Sequence, residues 1–151
     1  MKLLFISTIF IALCVTVMAQ TNETNSPGMH KTPKLQSTIF DWEKLKVTPT
    51  TNGVRRDVLD GPTATLDKLH CHITTLNPGQ TSGEPRRHLQ EEVIIVREGT
   101  VEATVDGRVQ TVGPGSVIFF AANAVTRLRN VGSGPATYTV VYFLTPLTPK
   151  E

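Results

Sequence analysis

Thr100-Val101-Glu102-Ala103-Thr104-Val105-Asp106-Gly107-Arg108-Val109-Gln110-Thr111-Val112 is two alternating runs around one dipeptide. Apolar residues at Val101, Ala103 and Val105, and again beyond Gly107, have the period of two that puts one strand face inward. Asp106-Gly107 supplies the two positive φ values of a two-residue type I′ turn. The segment therefore predicts a tight hairpin, and its turn fixes the register of the strands beside it.

Outward from this hairpin, turn signals cut the chain into short β-rich runs. They fall at Asn52-Gly53, Asp60-Gly61-Pro62, Asn77-Pro78-Gly79, Gly113-Pro114-Gly115 and Gly132-Ser133-Gly134-Pro135. The predicted strands are Val54–Leu59, Asp67–Leu76, Glu92–Arg97, Thr100–Val105, Arg108–Val112, Ser116–Phe120, Val125–Val131 and Ala136–Leu144. No segment has helical periodicity, and ten prolines and eleven glycines suit many short strands. Eight strands at this spacing predict an all-β fold, a closed jelly-roll barrel in which closure removes exposed edges. With 151 residues and no internal repeat, a single barrel is expected.

Two segments flank the hairpin: Pro85-Arg86-Arg87-His88-Leu89-Gln90-Glu91-Glu92-Val93-Ile94-Ile95-Val96-Arg97-Glu98-Gly99, and Gly115 through Ala121-Ala122-Asn123-Ala124-Val125-Thr126-Arg127-Leu128-Arg129-Asn130. Their spacing resembles the two signature motifs of the cupin superfamily, and the resemblance runs from roughly Leu66 to Leu144. Matching the first motif back from Gly99 puts Glu92 and His88 in ligand positions and Arg86 where a further histidine is usual. In the second, Gly115 and Asn130 match, while Ala121 replaces a proline, Asn123 a glycine and Thr126 a histidine. Asn123 suits a glycine position because asparagine visits the left-handed conformation readily.

The resemblance implies a single jelly-roll barrel of the small type-2, RmlC-like kind. In typical members it also implies a divalent metal (Mn, Fe, Ni or Zn) held by three histidines and a glutamate. Here His88 and Glu92 are the retained candidate ligands. A guanidinium at position 86, about 4 Å from such an ion, would repel it by about 8 kcal/mol at an effective dielectric near 20. Arg86 could instead pair with Glu92. His72 becomes a third donor if the even positions of Asp67–Leu76 face the barrel, giving a two-histidine, one-carboxylate set with His88 and Glu92. Arg86 and Thr126 are the candidate ligand-binding residues, and the alternation of Arg87, Arg127 and Arg129 points them outward. Two function classes stay open. One is a metal-dependent oxygenase or isomerase; the other is a metal-free module that binds a small, anionic molecule through Arg86.

The net charge of +2 gives no basis for a nucleic-acid partner. Lys2, an apolar run from Leu3 to Val15 and Val17-Met18-Ala19 form the pattern of a signal peptide, 1–19, cleaved after Ala19. Its apolar part is shorter than the ~20 residues of a membrane span, so the mature chain is expected to be secreted or periplasmic, with no membrane association. Residues 20–37, rich in Thr, Asn, Pro and Ser, read as a flexible linker, and 38–147 as the barrel domain. Removing Cys14 leaves Cys71 without a disulfide partner. Val93-Ile94-Ile95-Val96 and Tyr138 to Leu144 are largely apolar on both faces, and either a homodimer or the terminal segments folding over the sheet would cover the outer one.

Overall fold

The computed structural model describes residues 33–149. The expected signal peptide, 1–19, and linker residues 20–32 lie outside the described residues. A 3-10 turn at Trp42–Lys44 precedes ten strands: β1 Val47–Thr50, β2 Gly53–Gly61, β3 Lys68–Leu76, β4 Arg86–Arg87, β5 Glu91–Glu98, β6 Val101–Val105, β7 Arg108–Val112, β8 Val117–Phe120, β9 Val125–Asn130 and β10 Ala136–Leu144. All eight predicted strands are present, with ends shifted by no more than two residues. The predicted hairpin is β6–β7, which pairs Val105 with Arg108 across Asp106 (φ 46°) and Gly107 (φ 80°). Two strands were not predicted. β1 carries Pro49 in a polar, exposed run, and β4 is two arginines long.

The strands form two antiparallel sheets, of order β1-β2-β3-β10-β5-β8 and β4-β9-β6-β7. Hydrogen bonding does not run continuously around them. The expected closed barrel is therefore a jelly-roll sandwich with open edges. Two of those edges are unsuited to further pairing: β1 contains a proline, and β4 is short and charged.

Inward-facing side chains follow the period of two. On the first sheet His72, Val140 and Ile94 lie across adjacent strands, as do Tyr142 with His70 and Glu92. The even positions of β3 thus face the interior, the condition on which His72 entered the candidate set. Leu128 opposes Ala103 on the second sheet. Leu76, Ile94, Val96, Val101, Phe120, Leu128 and Tyr138 are buried between the layers as one apolar core. Burying a single such side chain is worth ~1.5–3 kcal/mol.

The opposite face of the first sheet is partly covered by the segment before β1. Trp42 lies 4.2 Å from the Arg56 guanidinium and 4.6 Å from that of Arg97, so one indole bridges β2 and β5 by cation–π contact. Further along the same face Val117 and Phe119 of β8 stay exposed, at 66% and 58%.

The sheets are tied at one end by Asn130, which is fully buried. Its Nδ2 donates to the carbonyls of Leu76 and Gly134, both at 2.9 Å, and its Oδ1 accepts from Gly132 N–H at 2.9 Å. Its backbone N–H and C=O also bond Gln80 and Gly79, on the chain that leaves β3 for the second sheet.

Two glycines of the matched motifs have positive φ for different reasons. Gly99 (φ +77°) lies so close to the start of β10 that a Cβ would be 2.5 Å from the Pro135 carbonyl oxygen, whereas Gly115 (φ +84°) has open space around it. Gly99→Ala should therefore cost at least about 3 kcal/mol, and Gly115→Ala only the ~1–2 kcal/mol of a left-handed alanine. The check is the shift in urea midpoint at unchanged slope.

Candidate functional site

A cavity of about 220 Å³ opens between the sheets. Its floor is apolar, made by Leu76, Ile94, Phe120, Leu128, Tyr138 and Val140, while its rim is polar. All five residues singled out from the sequence line it: His72, Arg86, His88, Glu92 and Thr126. Burial holds the Tyr138 phenol far above its ordinary range, an effect partly offset by a hydrogen bond with Thr74.

β4 places the most consequential of these residues. Arg86 pairs directly with Thr126 across β4 and β9, so the two positions that depart from the family pattern are cross-strand neighbours. Threonine at 126 leaves room for a long side chain opposite it. Gly83 leaves room as well, since a Cβ there would be 3.0 Å from Arg86 Nη1. Asn123 takes the left-handed conformation expected of it (φ 64°), and its N–H donates to the His88 carbonyl at 2.6 Å, linking the two motif segments.

The Arg86–Glu92 pair weighed from the sequence is not formed. Arg86 Nε donates to His88 Nε2 at 3.1 Å instead. The reason is topological: β4 belongs to the second sheet and Glu92 to the first, whereas His88 lies on the chain that joins them. Glu92, its side chain 12% exposed, sits 3.9 Å from His88 Nδ1 and 3.5 Å from Gln90 Nε2. A guanidinium only donates, so the His88 nitrogen it meets must offer its lone pair.

That geometry decides how well a divalent metal fits. The lone pair of His88 Nε2 is turned toward a permanent cation, and its other nitrogen faces Gln90 at 3.4 Å and Glu92. Among the described residues no three His, Cys, Asp or Glu side chains converge as a ligand set. His72 spends its Nδ1 on His70, 3.0 Å away, and makes no contact with His88 or Glu92 among the described residues. The residues at this site therefore do not fit the metal that the resemblance implies.

Sequence reading missed part of the rim. Arg127 lines the cavity although alternation points it outward, because Gly83-Glu84-Pro85 leaves the ladder between Ser82, bonded to Leu128, and Arg86. Arg87 and Arg129 are exposed, as alternation indicated, and Arg86 is exposed as well at the mouth of the cavity. Among the described residues neither Arg86 nor Arg127 has a carboxylate within ion-pair distance. Arg55 of β2 also lines the cavity and bonds Asp57 Oδ1 at 2.7 Å. Only its pairing with β3 puts it there, and no local pattern reveals that. Cys71 faces away from the cavity, and burial raises its thiol above the ordinary range, which disfavours a reactive thiolate.

Residues 72–142 match the family model described as Cupin domain. No curated protein matches the chain significantly. Among solved structures, an RmlC-like cupin from Shewanella frigidimarina superposes with TM-score 0.61 at 15% identity, covering 74% of this chain and 95% of that one. A polyketide cyclase from Streptomyces resistomycificus gives TM-score 0.61 at 20% identity, over 74% and 82% of the two chains. A sugar phosphate isomerase from Silicibacter pomeroyi gives 0.56 at 22%, over 72% and 77%. At these identities the likeness is one of fold.

The rim also makes a pH prediction. Burial, the neighbouring Arg55 and His70 push His72 down to about 4. Above pH ~6.5 the ring is neutral folded or unfolded. Between ~6.5 and ~4 the unfolded chain takes the proton first, so stability falls as pH falls through that window. The expected loss is on the order of 1–2 kcal/mol, discounted for the ring's solvent access. Denaturant titrations at pH 7 and pH 4.5 should show it in the parent protein and a flatter dependence in His72→Phe.

Proposed function

We propose that this chain, which carries a type-2 cupin domain of RmlC-like fold, is an exported binding module for a small carboxylate. The observation that carries the reading is the Arg86–His88 bond. At the place where the family resemblance implies a metal, this protein presents a permanent cation, and an arginine fork matches a carboxylate in two parallel bonds. Arg127 adds a second cation at the rim. The cavity, at about 220 Å³, is smaller than the ~300–1,000 Å³ of drug-sized pockets and suits a ligand of few heavy atoms. Apolar floor and polar rim are the usual division of labour in such a site: the floor excludes water and the rim orients. Export rests on the Lys2 to Ala19 pattern.

Two experiments test this. Purified mature protein should contain no stoichiometric metal, keep its stability in chelator, and be stabilised by millimolar small carboxylates in thermal unfolding. Arg86→Ala should remove that stabilisation, a loss of about 1.5–3 kcal/mol for a charge-assisted bond. Metal present at one equivalent and lost in His88→Ala and Glu92→Ala would overturn the reading in favour of a metal-dependent enzyme. Separately, intact mass of the exported chain should correspond to an N-terminus at Gln20.

A further inference from the structure

Behind the rim lies a row of polar residues that the proposed carboxylate site does not use. His70 is buried and stacked on Tyr142, ring centroids 4.5 Å apart and planes 16° from parallel. Its Nε2 is 3.1 Å from Arg55 Nη2 and 3.0 Å from His72 Nδ1, and its Nδ1 is 3.1 Å from Asp60 Oδ1. The register brings these together: His70 opposes Asp60 on one side and Tyr142 on the other, past a bulge between Asp57 and Leu59.

A guanidinium can only donate, so the contact with Arg55 is a hydrogen bond where the lone pair of neutral His70 is on Nε2 and its proton on Nδ1. That proton faces Asp60 without the alignment of a full hydrogen bond, an attraction that still favours this tautomer. With Nε2 of His70 an acceptor, the His72 nitrogen that meets it must donate. His72 therefore holds its proton on Nδ1, and its Nε2 is a lone pair with no protein partner among the described residues. His72 lines the cavity.

We infer that His72, set by His70, Arg55 and Asp60, is a specificity-determining acceptor that selects carboxylates bearing a hydroxyl group, the 2-hydroxy acids, over their deoxy counterparts. The inference rests on the carboxylate reading, and Arg86 and His72 divide the task. A ligand whose carboxylate meets Arg86 still faces neutral and anionic acceptors, His72 Nε2 and Glu92, across a small cavity. A ligand without a proton to donate strips water from these acceptors and returns nothing, whereas a hydroxyl satisfies one of them. His70 does not touch the ligand in this scheme; it is a positioning residue acting through His72.

Calorimetric titration of the full mature protein with lactate, propionate and 2-methoxypropionate separates the two layers. Lactate should bind roughly tenfold more tightly than the others, the value of one net hydrogen bond. His72→Phe should bring lactate down to the level of propionate. Arg86→Ala should weaken all binding while leaving the lactate preference in place. Nitrogen-15 NMR of the histidine rings in the parent protein should show Nε2 of His72 unprotonated at pH 7, and this tautomer should be lost in His70→Phe. The NMR arm does not depend on any variant folding. Equal binding of lactate and propionate, a preference that survives His72→Phe, or a protonated Nε2 overturns the inference and leaves carboxylate binding intact. Absence of binding by every carboxylate overturns both.

Discussion

Asn130 holds the end of the molecule from which everything else is measured. One fully buried amide satisfies two carbonyls and one N–H from two separate stretches of chain. Leaving those groups unpaired would cost ~1–3 kcal/mol each. Because the stretches include the exit from β3 and the approach to β10, this residue ties the two sheets together beside the cavity, whose lining includes Leu76.

At the cavity, the two sheets contribute different things. The first brings Glu92 and His72 inward on alternating positions, and the second brings Arg86 and Thr126 face to face. His88 lies on the crossing between them and takes its hydrogen bond from Arg86. The site thus combines guanidinium donors, Arg55, Arg86 and Arg127, with the acceptors His72, His88 and Glu92 over an apolar floor. Such a cavity orients a small ligand by its two ends, and the mismatch of either end is penalised by an unsatisfied group.

Much of this was legible in the sequence where it depended on local signals. Turn dipeptides located the strands, and Asp106-Gly107 marked the central hairpin. Motif spacing brought Arg86, His88, Glu92 and Thr126 to one place, and parity added His72. What stayed hidden depends on partners remote in sequence. β4 is a strand only because β9 lies beside it. Arg55 and Asp60 reach His70 through the pairing of β2 with β3, past a bulge that breaks alternation. Arg86 chose His88 over Glu92 because sheet membership, not spacing, decides which acceptor is within reach. Arg127 escaped its parity because the chain opposite it leaves the ladder.

The cation that meets His88 is joined to it through two residues of backbone. A partner held that way has no dissociation constant in the ordinary sense. Dilution does not remove it, and its supply does not vary with the surroundings, because its effective concentration is set by chain geometry alone. Whatever the composition of the medium, every folded copy of the molecule carries that charge on the same short strand.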